Sequence, residues 1–463
     1  MSAMKELRDA EGWHYRGEGA ANIVLAYRGD DPELTGKVLR LRKVLNNDKS
    51  VGNVIKSAPV LSREEQTVWT EWPDLVSATT IAELNHAYAR DVLRPLLGEE
   101  HVDPGTLVHI ESSFIEALGC HIDSMRPTWR AESGSLEVLT GVGLLISDHT
   151  YFPTPAGTVE ASSATISVEL KPKCGFLPST TFITEEDSIK KSLSRFTMHQ
   201  QLKFHQGKID HISKYDPLDL FSGTRDGILK AIEALFETPQ NNLRIFLNGE
   251  EIFGASKNDK LSIIHFDNVL EGFVPAQAGE RVQAFQNFVT DLLLKSDILH
   301  KLLAVQRLDY YDIEGAIQVY DRFLSYQNRL SESPKTDEIS STGKGTEELR
   351  QVWETISYRD ECLQLSEKKT HASSASVEDC QNILRDFLIS ATAKDCGLML
   401  SLQPLSQSMD SAGTQNANIL RSSNGLYLQK ILLLDLDLKR LKKMNYYSKL
   451  DREIVQAYKS VRS

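Results

Sequence analysis

In the stretch Ile166 to Pro178, ISVELKPKCGFLP, a carboxylate and two ammonium groups stand close together: Glu169, Lys171 and Lys173. Such a group can hold a polyanion and balance the charge of a group in transfer. Alternation at period two puts Ile166, Val168 and Leu170 on one face of a predicted strand and Ser167, Glu169 and Lys171 on the other. One face is expected to be core and the other to carry charge. Pro172 has no amide donor and should end the ladder, so Lys173 falls just beyond the strand, near Lys171. Taken alone, the pattern also fits an edge strand guarded by lysines.

Other residues extend the chemistry. Phosphoryl transfer needs a phosphate cradle, cations, a carboxylate for magnesium and a carboxylate beside the acceptor hydroxyl. Asp435, ending the predicted strand Leu426–Leu434, suits the metal, and Asp395, in the loop after a predicted helix from Ser376 to Ala393, suits the hydroxyl. Glu169 could orient a lysine or reach the metal; structural aspartates are the competing account. The cradle is offered by WHYRGEGAANIVLAY (13–27), where two short β-patterns flank Gly17-Glu18-Gly19. Gly29 to Pro32 follow too soon for the helix of a dinucleotide fingerprint or a P-loop, leaving strand, glycine loop, strand, as in a kinase flap or an ordinary hairpin. In KVLRLRKV (37–44), Val38, Arg40 and Arg42 share a face, so Arg40 could lie under that flap.

Cations are abundant for a protein of this balance: Arg130, Lys171, Lys173, Arg195, Lys203, Lys439 and Lys443. Arg195, His199 and Lys203 recur every fourth residue of a helix expected over 185–208, and Lys439, Lys443 and Tyr447 share one face of a final helix. Each cation about 4 Å from a phosphate is worth roughly 4 kcal/mol at an effective dielectric of 20, before desolvation. The surplus favours a multiply phosphorylated acceptor over a neutral sugar.

The elements that must position these groups belong to an ordinary globular chain of 463 residues, 41% hydrophobic and 25% charged. A net charge of −12 excludes a general nucleic-acid binder, which needs a broad basic surface. No apolar run approaches the roughly 20 residues that cross a bilayer, and five scattered cysteines make no disulfide framework. A soluble intracellular protein of cytoplasm or nucleus, monomeric and without membrane or nucleic-acid partners, is expected. A helix is expected over 81–97, packed on the small sheet, with a strand over 142–146 before an interlobe connection. Thr238 to Asn242 should turn into the strand LRIFL, and Asn248-Gly249 should close a hairpin. Two helices are expected over 281–326 and a polar insertion around 327–376. The protein-kinase markers HRD, DFG and VAIK, and the PxxxDxKxG pattern, are absent.

Together RGEGAANIVLAY, RPTWR, VELKPKCGFLP, SRFTMHQQLK, TPQNNLRIFLNG, ATAKDC and LDLDLKRLKKM resemble the inositol-pentakisphosphate 2-kinases, the plant enzymes most closely. The resemblance implies a two-lobed, kinase-like α+β fold: residues 1–150 an N-lobe with the flap, and 151–463 a C-lobe with the inositol phosphate site in a helical insertion. It implies ATP and Mg2+ as cofactors and phosphorylation of the 2-hydroxyl of inositol 1,3,4,5,6-pentakisphosphate to inositol hexakisphosphate, phytic acid. By matching motif, Gly17, Gly19, Ala20, Asn22, Val38 and Arg40 become the nucleotide flap and its floor. Asp148 and His149 become the adenine hinge, and Glu169 and Arg244 approach the ATP phosphates. Arg130, Lys171, Lys173, Lys203, Asn241, Lys439, Lys443 and Tyr447 become the inositide clamp, with Asn242 beside them. Asp395 matches the catalytic carboxylate, assisted by Lys171, Asp435 the magnesium ligand, and His199 a site histidine.

The chain also departs from that pattern. Leu45 stands where plant members carry Lys or Arg, and Lys443 where arginine is usual. The Cys-x-x-Cys pair of the plant members' zinc site is missing after residue 318, and Cys362, His371 and Cys380 have no zinc spacing, so no structural zinc is expected and the insertion should be looser. The alternative function is a catalytically poor inositol-polyphosphate binding or scaffold protein, although retention of Asp395 and Asp435 speaks against it.

Overall fold

Alternation of apolar and polar residues builds the first sheet. Strands Trp13–Glu18 (β1), Asn22–Tyr27 (β2) and Lys37–Leu45 (β3) form a meander that buries Trp13, Ile23, Leu25, Leu39 and Leu41 on one face. The computed structural model describes residues 7, 9–45, 58–138, 140–150, 152, 164–254, 260–332, 375–405, 419–422 and 425–461. Thr106–His109 (β4), Gly134–Leu136 (β5) and Val142–Ser147 (β6) complete the sheet, in the order β1-β2-β3-β6-β4 with β5 also paired to β3.

The second sheet is larger in its strands and its core. It contains Ile166–Leu170 (β7), Leu243–Leu247 (β8), Glu250–Phe253 (β9), Gly397–Pro404 (β10), Ile419–Ser422 (β11) and Gly425–Leu434 (β12), in the order β11-β12-β10-β7-β8-β9. Among the described residues every strand pairing is antiparallel, and with the helices the protein is α+β. Asn248 and Gly249, at φ 47° and 88°, make the two-residue turn between β8 and β9.

The lysine strand is not an edge. β7 lies between β10 and β8, and Ser167, expected on a charged face, is fully buried. It belongs to a row across three strands, Ser167, Ser401 and Lys430, that docks the segment leaving β6. Ser167 donates to the Thr150 carbonyl at 2.8 Å, Ser401 to that of His149, and Lys430 to that of Asp148 at 3.3 Å. Three successive carbonyls of the connection are thus satisfied by the second sheet.

Several expected boundaries move. Residues 81–97 are helical and Ile81–Tyr88 lies against β3, β4 and β6 as expected, but the buried side chains Leu84, Tyr88, Val92, Leu93 and Leu97 join Leu61 and Trp69 in the core of the second sheet. Pro95 does not end this helix, because a π turn over Ala89–Leu93 precedes it and the chain leaves at Gly98, φ 100°. The helix expected over 185–208 is a 3-10 segment, Glu185–Lys191, followed by Arg195–His205; Ser194 caps the second by accepting from the Thr197 amide at 3.2 Å. Residues 281–326 hold three helices, Arg281–Lys295, Ile298–Gln306 and Asp312–Glu332. The last takes over the start of the expected insertion; residues 333–374, with Cys362 and His371, lie outside the described residues. Lys439 precedes the final helix Met444–Ser460, and Lys443 closes the 3-10 turn Leu441–Lys443, so Lys439, Lys443 and Tyr447 do not share one helical face. Among the described residues no helix is long and apolar enough to cross a membrane.

One ionic hub fixes the helices around the cation-rich region. Lys190, buried, lies 2.6 Å from Asp312, 2.5 Å from Glu314 and 2.7 Å from Asp451, and Asp451 also holds Arg195 at 2.8 Å. It joins the Arg195–His205 helix to Met444–Ser460. Removing a buried cation strands its carboxylates, so Lys190→Met is expected to lower stability by about 3–5 kcal/mol in urea unfolding at pH 7. A loss below about 1 kcal/mol would contradict that role.

Candidate active site

The end of β7 and its two neighbouring chain segments bring the predicted charges together. Lys171 Nζ lies 3.2 Å from Asp435 Oδ2, and Lys173 Nζ lies 3.2 Å from Asp395 Oδ1. Lys439 Nζ takes the other Asp395 oxygen at 2.7 Å. Local structure explains the convergence: β7 is antiparallel to β10, so its end meets the start of β10, where Asp395 arrives from the Val377–Ala393 helix. Asp435 arrives from the end of β12, which pairs with the other side of β10. Lys173 at φ 61° and Asp435 at φ 59° are both left-handed, a sparsely populated conformation for non-glycine residues.

The electrostatics follow from these contacts. Burial works to raise the Asp395 carboxyl, but the ammonium groups of Lys173 and Lys439 outweigh it and hold it at about 2. Lys171 keeps its proton more tightly than usual, because Asp435 and Glu169 overcome its burial. Glu169 is pushed up by burial against the pull of Arg244, its cross-strand partner on β8, and Lys171. Lys203 is lowered by burial and by Lys173 and Lys208. Burial and the Asp395 charge push the Tyr447 hydroxyl up to about 12. Lys203 and Tyr447 therefore face the same site.

The glycine hairpin is tied to the chain just beyond Asp435, where Asn22 Nδ2 donates to Asp437 Oδ2 at 3.2 Å. The Gly19 amide donates to the Asn22 carbonyl at 2.9 Å, and the Arg130 guanidinium, stacked on Trp129 at 4.1 Å, donates to the Gly19 carbonyl at 3.2 Å. A Cβ on Gly17 or Gly19 would meet nothing within 4 Å, and neither has positive φ. Neither packing nor backbone conformation requires glycine there; the open space is what a phosphate needs to approach the amides. Ala20 continues the loop, and Val38 lies beside Val24's neighbour Arg40 along β3.

Some expected residues have other partners. Asp148 is buried and accepts from the Thr150 amide at 2.9 Å, while His149 lies 3.3 Å from Asp103. Arg244 reaches toward Glu251 at 3.8 Å. Asn242 is buried and exchanges contacts with the Lys171 backbone, accepting its amide at 2.9 Å, whereas Asn241 is exposed. Arg195 is held by Asp451, and Arg440, next in the chain to Lys439, is held by buried Glu65 at 2.5 Å. Lys443 is exposed, and Leu45 leaves β3 half exposed.

Sequence reasoning missed Asp437, whose Oδ2 takes Arg40 at 2.5 Å and Asn22 at 3.2 Å and so ties the flap and its floor to the second sheet. Its position two residues beyond Asp435 was the available signal. It also missed Glu18, fully buried between Lys43 at 2.6 Å and Arg126 at 3.0 Å behind the flap. Only its place between two glycines marked it.

An open glycine hairpin, an ionised carboxylate and converging cations are the parts of a site for phosphoryl transfer between anions. Residues 15–453 match the family described as inositol-pentakisphosphate 2-kinase. A relative of that name from Arabidopsis thaliana is 37% identical, over 99% of this chain and 95% of its own length. One from Oryza sativa subsp. indica is 40% identical over 97% and 94%, and one from Danio rerio 28% over 97% and 93%. The chain belongs to the inositol-pentakisphosphate 2-kinase family.

His199 faces the cationic side of the site, where burial, reinforced by Arg195, Lys203 and Lys173, pushes its imidazole down to about 3. The unfolded chain takes up this proton near the ordinary value of about 6.5. A depressed histidine therefore adds stability above about pH 6.5 that is lost as pH falls toward 3. His199→Gln is expected to flatten the fall in unfolding free energy between about pH 7 and 4, measured by urea titration at each pH. An unchanged slope would count against it.

Proposed function

We propose that this chain transfers the γ-phosphoryl group of ATP to the 2-hydroxyl of inositol 1,3,4,5,6-pentakisphosphate, giving inositol hexakisphosphate. Two lobes in a kinase-like arrangement would close on the substrates, the first sheet supplying the flap and the second the acceptor site. The observation that carries the reading is the Asp395 carboxylate held between Lys173 and Lys439, with Lys171 and Asp435 alongside. When phosphates draw these lysines away, the Asp395 carboxyl loses the charges that depress it and becomes a better acceptor for the hydroxyl proton.

Gly17, Gly19, Ala20 and Asn22 cradle the nucleotide phosphates over Val38 and Arg40, while Asp148 and His149 border the base. Arg130, Lys171, Lys173, Lys203, Lys439, Lys443, Asn241 and Tyr447 grip the inositide, Asn242 holds the Lys171 backbone, and neutral His199 offers an uncharged hydrogen-bonding group among cations. Glu169 and Arg244 lie toward the ATP phosphates. A magnesium ion fits the donor set: Asp435 is a partly exposed carboxylate beside Glu169, and Asp437 keeps one buried oxygen without a hydrogen-bond partner. Asp435 would hold it, and the ion would neutralise phosphate charge. The scaffold reading is not favoured, because binding a polyanion gains nothing from carboxylates facing it.

The test is incubation with MgATP and inositol 1,3,4,5,6-pentakisphosphate, followed by anion-exchange separation. Wild type is expected to form inositol hexakisphosphate, and Asp395→Asn to lose at least about a hundredfold in kcat while still binding nucleotide. Tight pentakisphosphate binding without turnover in the wild type would favour the scaffold. In the same assay Asp437→Asn is expected to raise KM for ATP, since Arg40 and Asn22 lose their shared partner; an unchanged KM would remove Asp437 from the site.

A further inference from the structure

We infer that Gln306, fully buried at the end of the Ile298–Gln306 helix, is a positioning residue for the Lys173–Asp395 pair. What the pair does rests on the kinase reading above. The loop after β7 is held by its carbonyls: Asn242 Nδ2 donates to that of Lys171 at 3.3 Å, Tyr215 to that of Pro172 at 2.7 Å, and Gln306 Nε2 to that of Lys173 at 2.8 Å. Gln306 does more than close this series. The same Nε2 donates to the Ala393 carbonyl at 3.1 Å, and Oε1 accepts the Gly175 amide at 2.8 Å. Its own carbonyl accepts from Ser390, inside the Val377–Ala393 helix.

One amide therefore joins the loop that carries Lys173 to the helix end that delivers Asp395. Both pieces need such a tie. Lys173 sits at φ 61°, a conformation that a lysine keeps only when its surroundings determine it, and Asp395 lies past the helix end. Lys394, paired with Asp309 at 2.7 Å and set over Phe176, braces the same junction from the other side. A carboxamide is the side chain that fits, because the junction presents two carbonyl acceptors and one amide donor within reach of one residue. Glutamate matches its size but donates nothing when ionised, and methionine makes none of the three bonds.

Substitutions of Gln306 test the inference. Gln306→Met is expected to lower kcat for hexakisphosphate formation by about 10–100-fold and raise KM for the pentakisphosphate, leaving KM for ATP within about twofold. Val289→Ala opens a cavity in the same core away from the loop and controls for lost stability; it should leave all three constants unchanged. Gln306→Met behaving like Val289→Ala would overturn the inference. Gln306→Glu covers the case in which the methionine variant does not fold. Burial should raise that carboxyl, and only its protonated form restores a donor, so its kcat relative to wild type should fall about tenfold from about pH 6 to about pH 8.5. A flat ratio near one would overturn the inference as well. If wild type shows no turnover, the kinase reading fails, and the crystal structure of Gln306→Glu grown at about pH 8.5 decides this one: Lys173 leaving the left-handed region supports it, and Lys173 unmoved on Asp395 overturns it.

Discussion

The site depends on opposite charges that meet where β7 ends. Lys171 holds Asp435, while Lys173 and Lys439 share Asp395, so three neighbouring cations are balanced by carboxylates from other chain segments rather than left to repel one another. The arrangement also restrains Asp395, which stays ionised but strongly paired. A ligand that offers more negative charge than a carboxylate can take the lysines and release the aspartate. In the proposed reaction, binding and activation of the acceptor would then be the same event.

Charge balance of this kind works only in a stiff frame. The row Ser167, Ser401 and Lys430 fastens residues 148–150 to the second sheet, Glu65 fastens Arg440, and Lys190 locks the helices that carry His199, Lys203 and Tyr447. These polar groups are buried or, for Lys430, half-buried; all are paired, and each connects segments far apart in sequence. The flap is tied more lightly, by Asp437 to Arg40 and Asn22 and by Arg130 to the Gly19 carbonyl. Lightly tied elements are the ones that ligands can move.

Most of the chemistry was legible in the sequence because it lies in short segments whose local pattern is strong. The alternation in ISVEL, the glycines of RGEG and the helix begun at Ser376 are each specified through neighbours in the chain, and all three form as expected. Long-range partners were less legible. Nothing local tells that Arg195 will meet Asp451, so it resembled a ligand cation. The edge-strand alternative for β7 stayed open in the sequence for the same reason: Ser167 is polar, and only its cross-strand partners reveal that it is buried. The break at Ser194 and the π turn before Pro95 were written in local residues, yet a continuous apolar stripe concealed them.

The most direct measurement is a crystal structure of the protein with MgADP and inositol hexakisphosphate. The account predicts that Lys171, Lys173 and Lys439 turn from Asp435 and Asp395 to phosphate oxygens, that Asp395 comes within hydrogen-bond reach of the inositol 2-oxygen, and that Asp435 binds the metal. An inositide bound elsewhere, with the Lys173–Asp395 and Lys439–Asp395 pairs intact beneath it, would contradict the account.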